Sequence, residues 1–261
     1  MRQLSYDARI DGAVTATGAL WFIASEMMKA DLVPEKCRWC YRGADGASTL
    51  NVVDRNVRRA LKWNDERSAD LASSFVAFAL MPATALALPA GAAAHDNALG
   101  GAPVDALLTA QATILAANLN QLVKFAFARE RPFVHYLPRT AEGVRALTAS
   151  PSDDNLSFYS GHTNLAFALA TSSGTVSLMR GYRLAPLVLG VGLASAFSVG
   201  YLRIAADKHY LSDVTVGAVL GSLVGVLVPL IFHAPSSGRS ESAPAQSAQP
   251  LQAPFVFDGV W

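Results

Sequence analysis

The stretch 214–232, VTVGAVLGSLVGVLVPLIF, decides the fold class of this chain. It contains no charged residue, and a helix needs about 20 consecutive apolar residues to cross a bilayer. Two further blocks share this property, LASSFVAFALMPATALALPAGAAA at 71–94 and LAPLVLGVGLASAFSVGYL at 184–202. We therefore predict membrane-spanning helices. A soluble protein whose core helices are fully buried is the alternative interpretation.

Three weaker apolar blocks raise the expected number of segments to six. Residues 11–30 contain Glu26, residues 104–123 contain Asp105, Asn118, Asn120 and Gln121, and residues 163–179 are rich in Ser and Thr. Polar groups inside membrane segments usually face the interior of the bundle and mark function. No block follows the period of a strand. The predicted fold class is all-α, a bundle of about six transmembrane helices with its active site at one membrane face.

Composition agrees with a membrane protein and argues against a nucleic-acid binder. The chain has 261 residues, of which 52% are hydrophobic and only 16% are charged, and its mean hydropathy is +0.28. Soluble proteins average about 25% charged residues. The net charge of +1 supplies no basic stripe of the kind that nucleic-acid recognition requires.

The predicted organisation is one domain with a polar insertion and a tail. We assign residues 1–233 to the membrane domain, residues 31–70 to the insertion, and residues 234–261, rich in Pro, Ser, Ala and Gln, to a disordered tail. Cys37 and Cys40 lie in the insertion. One CxxC pair cannot supply the four ligands of a structural zinc site, so we favour a local disulfide over free thiols.

Two helical patterns have open interpretations. Residues 53–63 place apolar side chains at helical spacing among charges, which fits either an amphipathic helix at the membrane interface or an ordinary solvated helix. Gly217, Gly221 and Gly225 recur every fourth residue, as in closely packed membrane helices. Glycine is also frequent in membrane segments in general.

Six alternating spans bring a set of polar residues to one membrane face. The third span ends there, the fourth begins there, the fifth returns and the sixth departs. The residues at these four ends are Lys124, Arg131, Ser160, Gly161, His162, Arg203, His209 and Asp213. Taken singly, each has a structural role open to it, such as a lysine that reaches the interface or a serine that caps a helix. Together they favour a site.

The cations of this set suit a phosphate group. Arginine offers a planar fork that matches phosphate oxygens, and lysine offers a point charge. Gly161 lets a backbone N–H approach closely, and the start of a helix favours an anion. Ser160 can add a hydroxyl donor or cap the helix.

The two histidines suit phosphoryl transfer. His209 and Asp213 are four residues apart, which places them on one face of a helical turn. A carboxylate on one imidazole nitrogen would leave the other free to attack. His162 could then protonate the leaving oxygen.

These residues resemble the three-part signature of the type 2 phosphatidic acid phosphatase superfamily, which also includes vanadium haloperoxidases and soluble bacterial acid phosphatases. KFAFARERP, from Lys124 to Pro132, matches the first part in full. YSGH matches the second with Tyr159 in place of proline, and LRIAADKHYLSD matches the third with Leu202 in place of serine. The motifs span about 90 residues, and the six-segment layout is similar to the integral-membrane branch.

The resemblance implies specific roles. His209 would be the nucleophile that forms a phosphohistidine, Asp213 would orient it, and His162 would protonate the leaving group. The residues that would hold the phosphate are Lys124, Arg131, Ser160, Gly161 and Arg203. No metal and no cofactor would be required. The substrate would be a lipid phosphate monoester or diphosphate.

The resemblance also implies a bacterial inner-membrane protein whose site faces the periplasm. Arg55, Arg58, Arg59 and Lys62 oppose this, because Lys and Arg concentrate in cytoplasmic loops. A phosphotransferase, a vanadate-dependent haloperoxidase and a non-catalytic binder of anionic lipid remain alternatives. The sequence indicates neither the particular lipid nor the oligomeric state.

Overall fold

The computed structural model describes residues 1–34, 36–43, 45–137, 148 and 151–235. Within these ranges the chain is helical, and its only extended pairings are three isolated bridges. The α-helices are α1 (Ala8–Met27), α2 (Lys29–Leu32), α3 (Val52–Leu61), α4 (Glu66–Phe75), α5 (Met81–His95), α6 (Ala102–Phe127), α7 (Pro132–His135), α8 (Gly161–Arg180), α9 (Ala185–Ala205) and α10 (Leu211–Phe232). The all-α prediction is confirmed.

Each of the six predicted segments coincides with a long helix. In the part of the chain that the structure describes, four helical stretches are long and apolar enough to cross a membrane: Glu66–His95, Leu99–Phe127, Ala185–Ala205 and Leu211–Phe232. The first of these joins α4 to α5 through a π-helical turn, Val76–Leu80. The other two long helices, α1 and α8, carry more polar residues, and α8 is the more deeply enclosed.

Helix α8 is the centre of the bundle, with α5, α6, α9 and α10 packed around it. Most of its residues are buried, including its serines and threonines. Four of their hydroxyls donate to carbonyls of the preceding turn. Thr171 donates to Phe167 at 2.7 Å and Ser177 donates to Ser173 at 2.8 Å. The polarity that weakens the membrane signal of 163–179 is therefore satisfied inside the bundle.

The glycine repeat of α10 faces the backbone of α8, which decides between the two interpretations of this pattern in favour of close packing. A Cβ on Gly217 would lie 2.8 Å from the carbonyl oxygen of Ser160, and one on Gly221 would overlap the carbonyl oxygen of Asn164. Side chains larger than hydrogen would force the two helices apart. The repeat thus fixes the start of α8 against the start of α10, where the candidate site lies.

The insertion folds onto the same end of the bundle. Cys37 and Cys40 form a disulfide, which confirms the predicted local pairing. Helix α3 is strongly amphipathic and packs against α9 and α10. Most of the tail, residues 236–261, lies outside the described residues, so its predicted disorder stays a prediction.

Gly221→Ala tests the contact between α8 and α10. The added methyl meets backbone, and we expect a loss of about 1–3 kcal/mol in the free energy of unfolding, typical of overpacking. Thermal unfolding in detergent would measure the change.

The matched control is Gly190→Ala in α9, where a Cβ would meet nothing within 4 Å. Alanine is the better helix former, so this variant should be as stable as the wild type or more stable. Equal stability of the two variants would contradict the proposed role of the glycine face.

Candidate active site

A cavity of about 580 Å³ opens at the end of the bundle where α6 finishes and α8 and α10 begin. It is lined by six of the eight residues that the sequence brought to this face: Lys124, Arg131, Gly161, His162, Arg203 and His209. The other two, Ser160 and Asp213, are buried directly behind them. The remainder of the wall is mixed. Apolar side chains, among them Phe22, Phe78 and Leu165, line part of it, and polar or charged side chains, including Glu26, Asp70 and Asp153, line the rest.

Gly161 is the first residue of α8, and its missing side chain makes room for Lys124. A Cβ at this position would lie 3.1 Å from the Lys124 Nζ and 2.9 Å from the Asn120 Oδ1. The first N–H groups of a helix have no intrahelical partner and favour an anion. The ammonium group and the helix start therefore face the same part of the cavity.

Arg203 is buried and is held at one end of its guanidinium. Its Nη1 donates to Asp70 Oδ1 at 2.6 Å and to Ser73 Oγ at 2.9 Å. Its Nε is buried and has no hydrogen-bond partner among the described residues. An unused donor on a fixed guanidinium, at the wall of a cavity, suits an anionic oxygen.

Arg131 is fixed by a carboxylate residue that the motifs do not include. Its Nε donates to the Asp153 carbonyl at 2.7 Å, and its Nη2 lies 3.9 Å from Asp153 Oδ1. Lys29 pairs with the same carboxylate at 2.7 Å. Burial alone would raise the pKa of Asp153, but Arg131 and Lys29 outweigh it and hold the pKa below its ordinary value. Asp153 is therefore ionised at neutral pH.

His209 lies in the loop between α9 and α10 and is almost fully buried. Its Nδ1 is 2.8 Å from the Ser157 carbonyl oxygen, so Nδ1 carries the proton and Nε2 keeps its lone pair. Burial, with the charges of Arg131 and Arg203 next in size, lowers the pKa of His209 well below its ordinary value. A lowered pKa leaves the imidazole neutral, and thus nucleophilic, at and below neutral pH.

Asp213 lies close to His209 but makes no hydrogen bond to it. The His209 Nδ1 is 3.7 Å from Asp213 Oδ2, while the Ser157 hydroxyl and the Tyr210 N–H donate to that oxygen at 2.6 and 2.9 Å. The expected carboxylate contact to the histidine is therefore replaced by the Ser157 carbonyl. Asp213 holds the Ser157 segment and places a negative charge beside the imidazole.

His162 follows Gly161 in the first turn of α8. Its Nε2 is 3.3 Å from the Ser74 Oγ, and its ring meets the ring of Phe78 edge to face at 4.6 Å between centroids. Both neighbours belong to the helical stretch Glu66–His95. This helix therefore positions His162, a dependence that motif spacing does not reveal.

The three remaining motif positions have structural roles. Ser160 caps α8, and its hydroxyl lies 2.9 Å from the Thr163 hydroxyl instead of in the cavity. Tyr159, which replaces the motif's proline, is buried, and its carbonyl accepts from Asn120 at 2.8 Å. Leu202, which replaces the motif's serine, packs against Ala69 and Ala205.

Arg129 is the main residue that the sequence analysis missed. It is 1% exposed, and its guanidinium binds Asp213 on one side and Asp54, at 3.0 Å, on the other. The same Asp54 accepts from the Ser212 N–H and hydroxyl at 2.9 and 2.6 Å. The sequence gives no spacing pattern that links Arg129, which precedes Glu-Arg-Pro, to Asp54 on the amphipathic helix α3. The ion pairs of Arg129 could therefore not be inferred from it.

Aromatic rings enclose Arg129. Its guanidinium carbon is 4.4 Å from the ring centre of Trp39, 5.1 Å from that of Tyr41 and 4.5 Å from that of Tyr210. Such contacts stabilise a cation more strongly when it is desolvated. The disulfide loop supplies Trp39 and Tyr41, so the insertion is part of the support for the site.

Family comparison agrees with this geometry. A model of the PAP2 superfamily matches residues 105–236, which is half of the chain and includes all eight predicted site residues.

The chain belongs to the PAP2 superfamily.

Two curated PAP2 relatives match parts of the chain. Phospholipid phosphatase 2 of Rattus norvegicus is 33% identical over 113 residues, 41% of this chain and 40% of the relative. Phospholipid phosphatase 2 of Bos taurus is 34% identical over 91 residues, 33% of this chain and 32% of the relative. The chain thus spans less than half of the length of these relatives.

Two solved structures are also similar. A transmembrane PAP2-type phosphatidylglycerolphosphate phosphatase from Bacillus subtilis is 17% identical with a TM-score of 0.49, covering 82% of this chain and 93% of its own. Aquifex aeolicus LpxE is 24% identical with a TM-score of 0.40, covering 67% and 91%.

Arg129→Met tests the bridge behind the site. The change leaves two buried carboxylates, Asp54 and Asp213, without their cation, and we expect a loss of about 3–5 kcal/mol in the free energy of unfolding. Arg67→Met, at an exposed position of the same insertion, is the matched control and should change stability by less than about 0.5 kcal/mol. Denaturant unfolding in detergent measures both, and equal losses would refute a special role for Arg129.

Proposed function

We propose that this PAP2 protein hydrolyses a phosphate monoester or diphosphate carried by a membrane lipid, through a phosphohistidine on His209. The observation that carries the proposal is the cavity in which a neutral, oriented imidazole faces Lys124, Arg131 and Arg203. A nucleophile within a cage of fixed cations is what phosphoryl transfer needs. Family membership and the two phospholipid phosphatase relatives support the same reaction class.

In the first step the Nε2 lone pair of His209 attacks phosphorus. The N–P bond forms while the bond from phosphorus to the leaving oxygen breaks. Burial and the neighbouring cations lower the pKa of His162 well below its ordinary value. We propose that the bound phosphate dianion offsets these cations, so that His162 takes up a proton and gives it to the leaving oxygen. The His209 imidazole becomes cationic. The Ser157 carbonyl accepts its Nδ1–H, and the Asp213 charge at 3.7 Å stabilises it.

In the second step water replaces the histidine. His162, now neutral, takes a proton from the water, whose oxygen forms the new bond to phosphorus as the N–P bond breaks. Lys124, Arg131 and Arg203 stabilise the equatorial oxygens in both steps. These cations supply the charge stabilisation, so we propose that the reaction requires no metal.

The lipid nature of the substrate is proposed from the walls of the cavity. Phe22, Phe78 and Leu165 continue the cationic wall into an apolar one, and the surrounding helices are long enough to cross a bilayer. A phosphate on a hydrocarbon chain satisfies both parts. Burial of the chain stabilises binding through the hydrophobic effect.

His209→Ala tests the proposal by phosphate release from phosphatidic acid and an isoprenyl diphosphate, with chelator present. We expect the rate to fall more than about 1,000-fold, since the nucleophile is lost. The matched control is His95→Ala, an exposed histidine at the other end of the bundle, which should keep the wild-type rate.

Two results would count against the mechanism. Near-wild-type rates for His209→Ala would refute the assignment of His209 as the nucleophile. Loss of wild-type activity in chelator would refute a metal-independent reaction. Radiolabelled phosphate should stay on the wild-type chain after alkaline quenching and be absent from His209→Ala, because a phosphohistidine survives alkali.

We also propose a bacterial inner-membrane location with the cavity facing the periplasm. The disulfide between Cys37 and Cys40 supports this, because disulfides persist in oxidising compartments. The disulfide loop and the cavity lie at the same end of the bundle, since Trp39 bridges to Arg129.

A pair of variants, each with one added cysteine, tests this orientation. Asp45→Cys is exposed on the insertion and Arg183→Cys is exposed at the opposite end, between α8 and α9. In intact spheroplasts an impermeant maleimide should label Asp45→Cys alone, and after permeabilisation it should label both. The reverse pattern would place the cavity in the cytoplasm.

A further inference from the structure

A second group of cations lies outside the catalytic cavity. Helix α3 carries Arg55, Arg58 and Arg59, and Lys62 directly follows its last residue. Together they line a pocket of about 290 Å³. The lining residues are Arg55, Arg58, Arg59, Lys62, Trp63, Asn64 and Tyr136. The proposed mechanism uses none of them. Lys and Arg concentrate in cytoplasmic loops, so by that rule these cations would place this end of the bundle in the cytoplasm and not in the periplasm.

Two of the four cations are neutralised locally. Arg58 forms a two-pronged pair with Asp207 at 2.5 Å and lies 3.7 Å over the ring centre of Tyr136. Lys62 pairs with Glu66 at 2.6 Å. Arg55 and Arg59 have no ion pair within the described part of the chain. The pocket therefore presents two uncompensated guanidinium groups.

An apolar groove of about 770 Å³ adjoins the cationic pocket. It runs along α9 and α10, with Leu61 of α3 at its end, and its lining includes Phe197, Tyr201, Val214, Val219, Leu223 and Leu227. Trp63 belongs to the pocket and donates its indole N–H to the Tyr201 hydroxyl at 2.9 Å. The pocket and the groove therefore meet at the Trp63–Tyr201 pair.

We propose that the pocket and groove together bind one anionic phospholipid of the bilayer, separately from the substrate. Arg55 and Arg59 would hold its phosphate, because a guanidinium offers a fork that matches phosphate oxygens. The acyl chains would lie in the groove, between two helices that are each long and apolar enough to cross a membrane. Tryptophan and tyrosine are typical of the headgroup level, which is where the pair joins the two parts.

The arrangement favours a lipid over a soluble anion or a second copy of the chain. A soluble anion would use the cations and leave the groove open, whereas a second copy would cover the groove without needing uncompensated arginines beside it. An anionic phospholipid supplies both a negative headgroup and two hydrocarbon chains for the groove. The cations of α3 would then bind lipid at the membrane surface and would not report the cytoplasmic side.

Native mass spectrometry in detergent tests the site, with dioleoyl phosphatidylglycerol and dioleoyl phosphatidylcholine added in equal amounts. We expect the wild type to retain one phosphatidylglycerol in preference to phosphatidylcholine. Each cation near a membrane surface contributes about a fivefold preference for anionic lipid, so the double variant Arg55→Gln, Arg59→Gln should lower the preference about 25-fold. An unchanged preference in that variant would overturn the proposal.

Three further variants distinguish this site from the catalytic cavity and from a dimer interface. The matched control Lys36→Gln, Arg38→Gln removes two exposed charges from the same insertion and should keep the preference. Lys124→Gln should also keep the preference for phosphatidylglycerol. Loss of that preference in Lys124→Gln would mean that the lipid binds in the catalytic cavity. Thr215→Trp fills the groove and should reduce retention of both lipids. Full retention, or loss of a dimer instead of a lipid, would exclude the groove as the acyl site.

Discussion

The pairing of Arg129 with two buried carboxylates is the constraint on which the catalytic end of this PAP2 protein depends. Taking three charges out of water costs several kcal/mol per ion, and removing one partner leaves the others buried and uncompensated. Arg129 pairs with both carboxylates through its two terminal nitrogens, while its Nε has no hydrogen-bond partner among the described residues. Asp213 joins Arg129 to α10 and to the Ser157 segment, while Asp54 joins it to α3 and Ser212. Three separate parts of the chain, namely α10, the Ser157 segment and α3 of the insertion, are thereby held around one guanidinium.

The position of His209 follows from that network indirectly. Asp213 fixes Ser157, and the Ser157 carbonyl fixes the Nδ1 proton of the histidine. The carboxylate thus acts through a serine and through its charge, and the histidine needs no direct carboxylate bond to hold its tautomer. On the other side, Asp70 and Asp153 hold the two cavity arginines, so the cations are ordered before any phosphate arrives. Fixed donors of this kind stabilise developing charge without reorganisation.

Much of the fold was predictable because it rests on local signals. Uncharged blocks of spanning length predicted the helices. The period of four between Gly217, Gly221 and Gly225 was compatible with close helix packing, but only the structure shows that α8 is the partner. Alternation of spans then brought six cavity residues together without any knowledge of distances. The hydrogen-bond and ion-pair partners of individual site residues could not be predicted. Ser160 could cap a helix or donate to phosphate, and only packing shows that it caps. Arg129 and Asp153 had no motif spacing to distinguish them from surface charges, and their burial depends on the insertion and on the segment before α8.

The π-helical turn at Val76–Leu80 has a consequence for how α4 and α5 serve two neighbours. A π turn inserts one extra residue into a helix, so the side chains of the second half of Glu66–His95 are rotated about the helix axis relative to those of the first half. The first half presents Asp70 and Ser73 to Arg203, while the second presents Met81 and Ala85 to the apolar core. A continuous α-helix would carry both sets on a single stripe and would have to misplace one of them. The π turn thus rotates the second half of the helix relative to the first. One helix can therefore contact the charged cavity near its start and the apolar core further along.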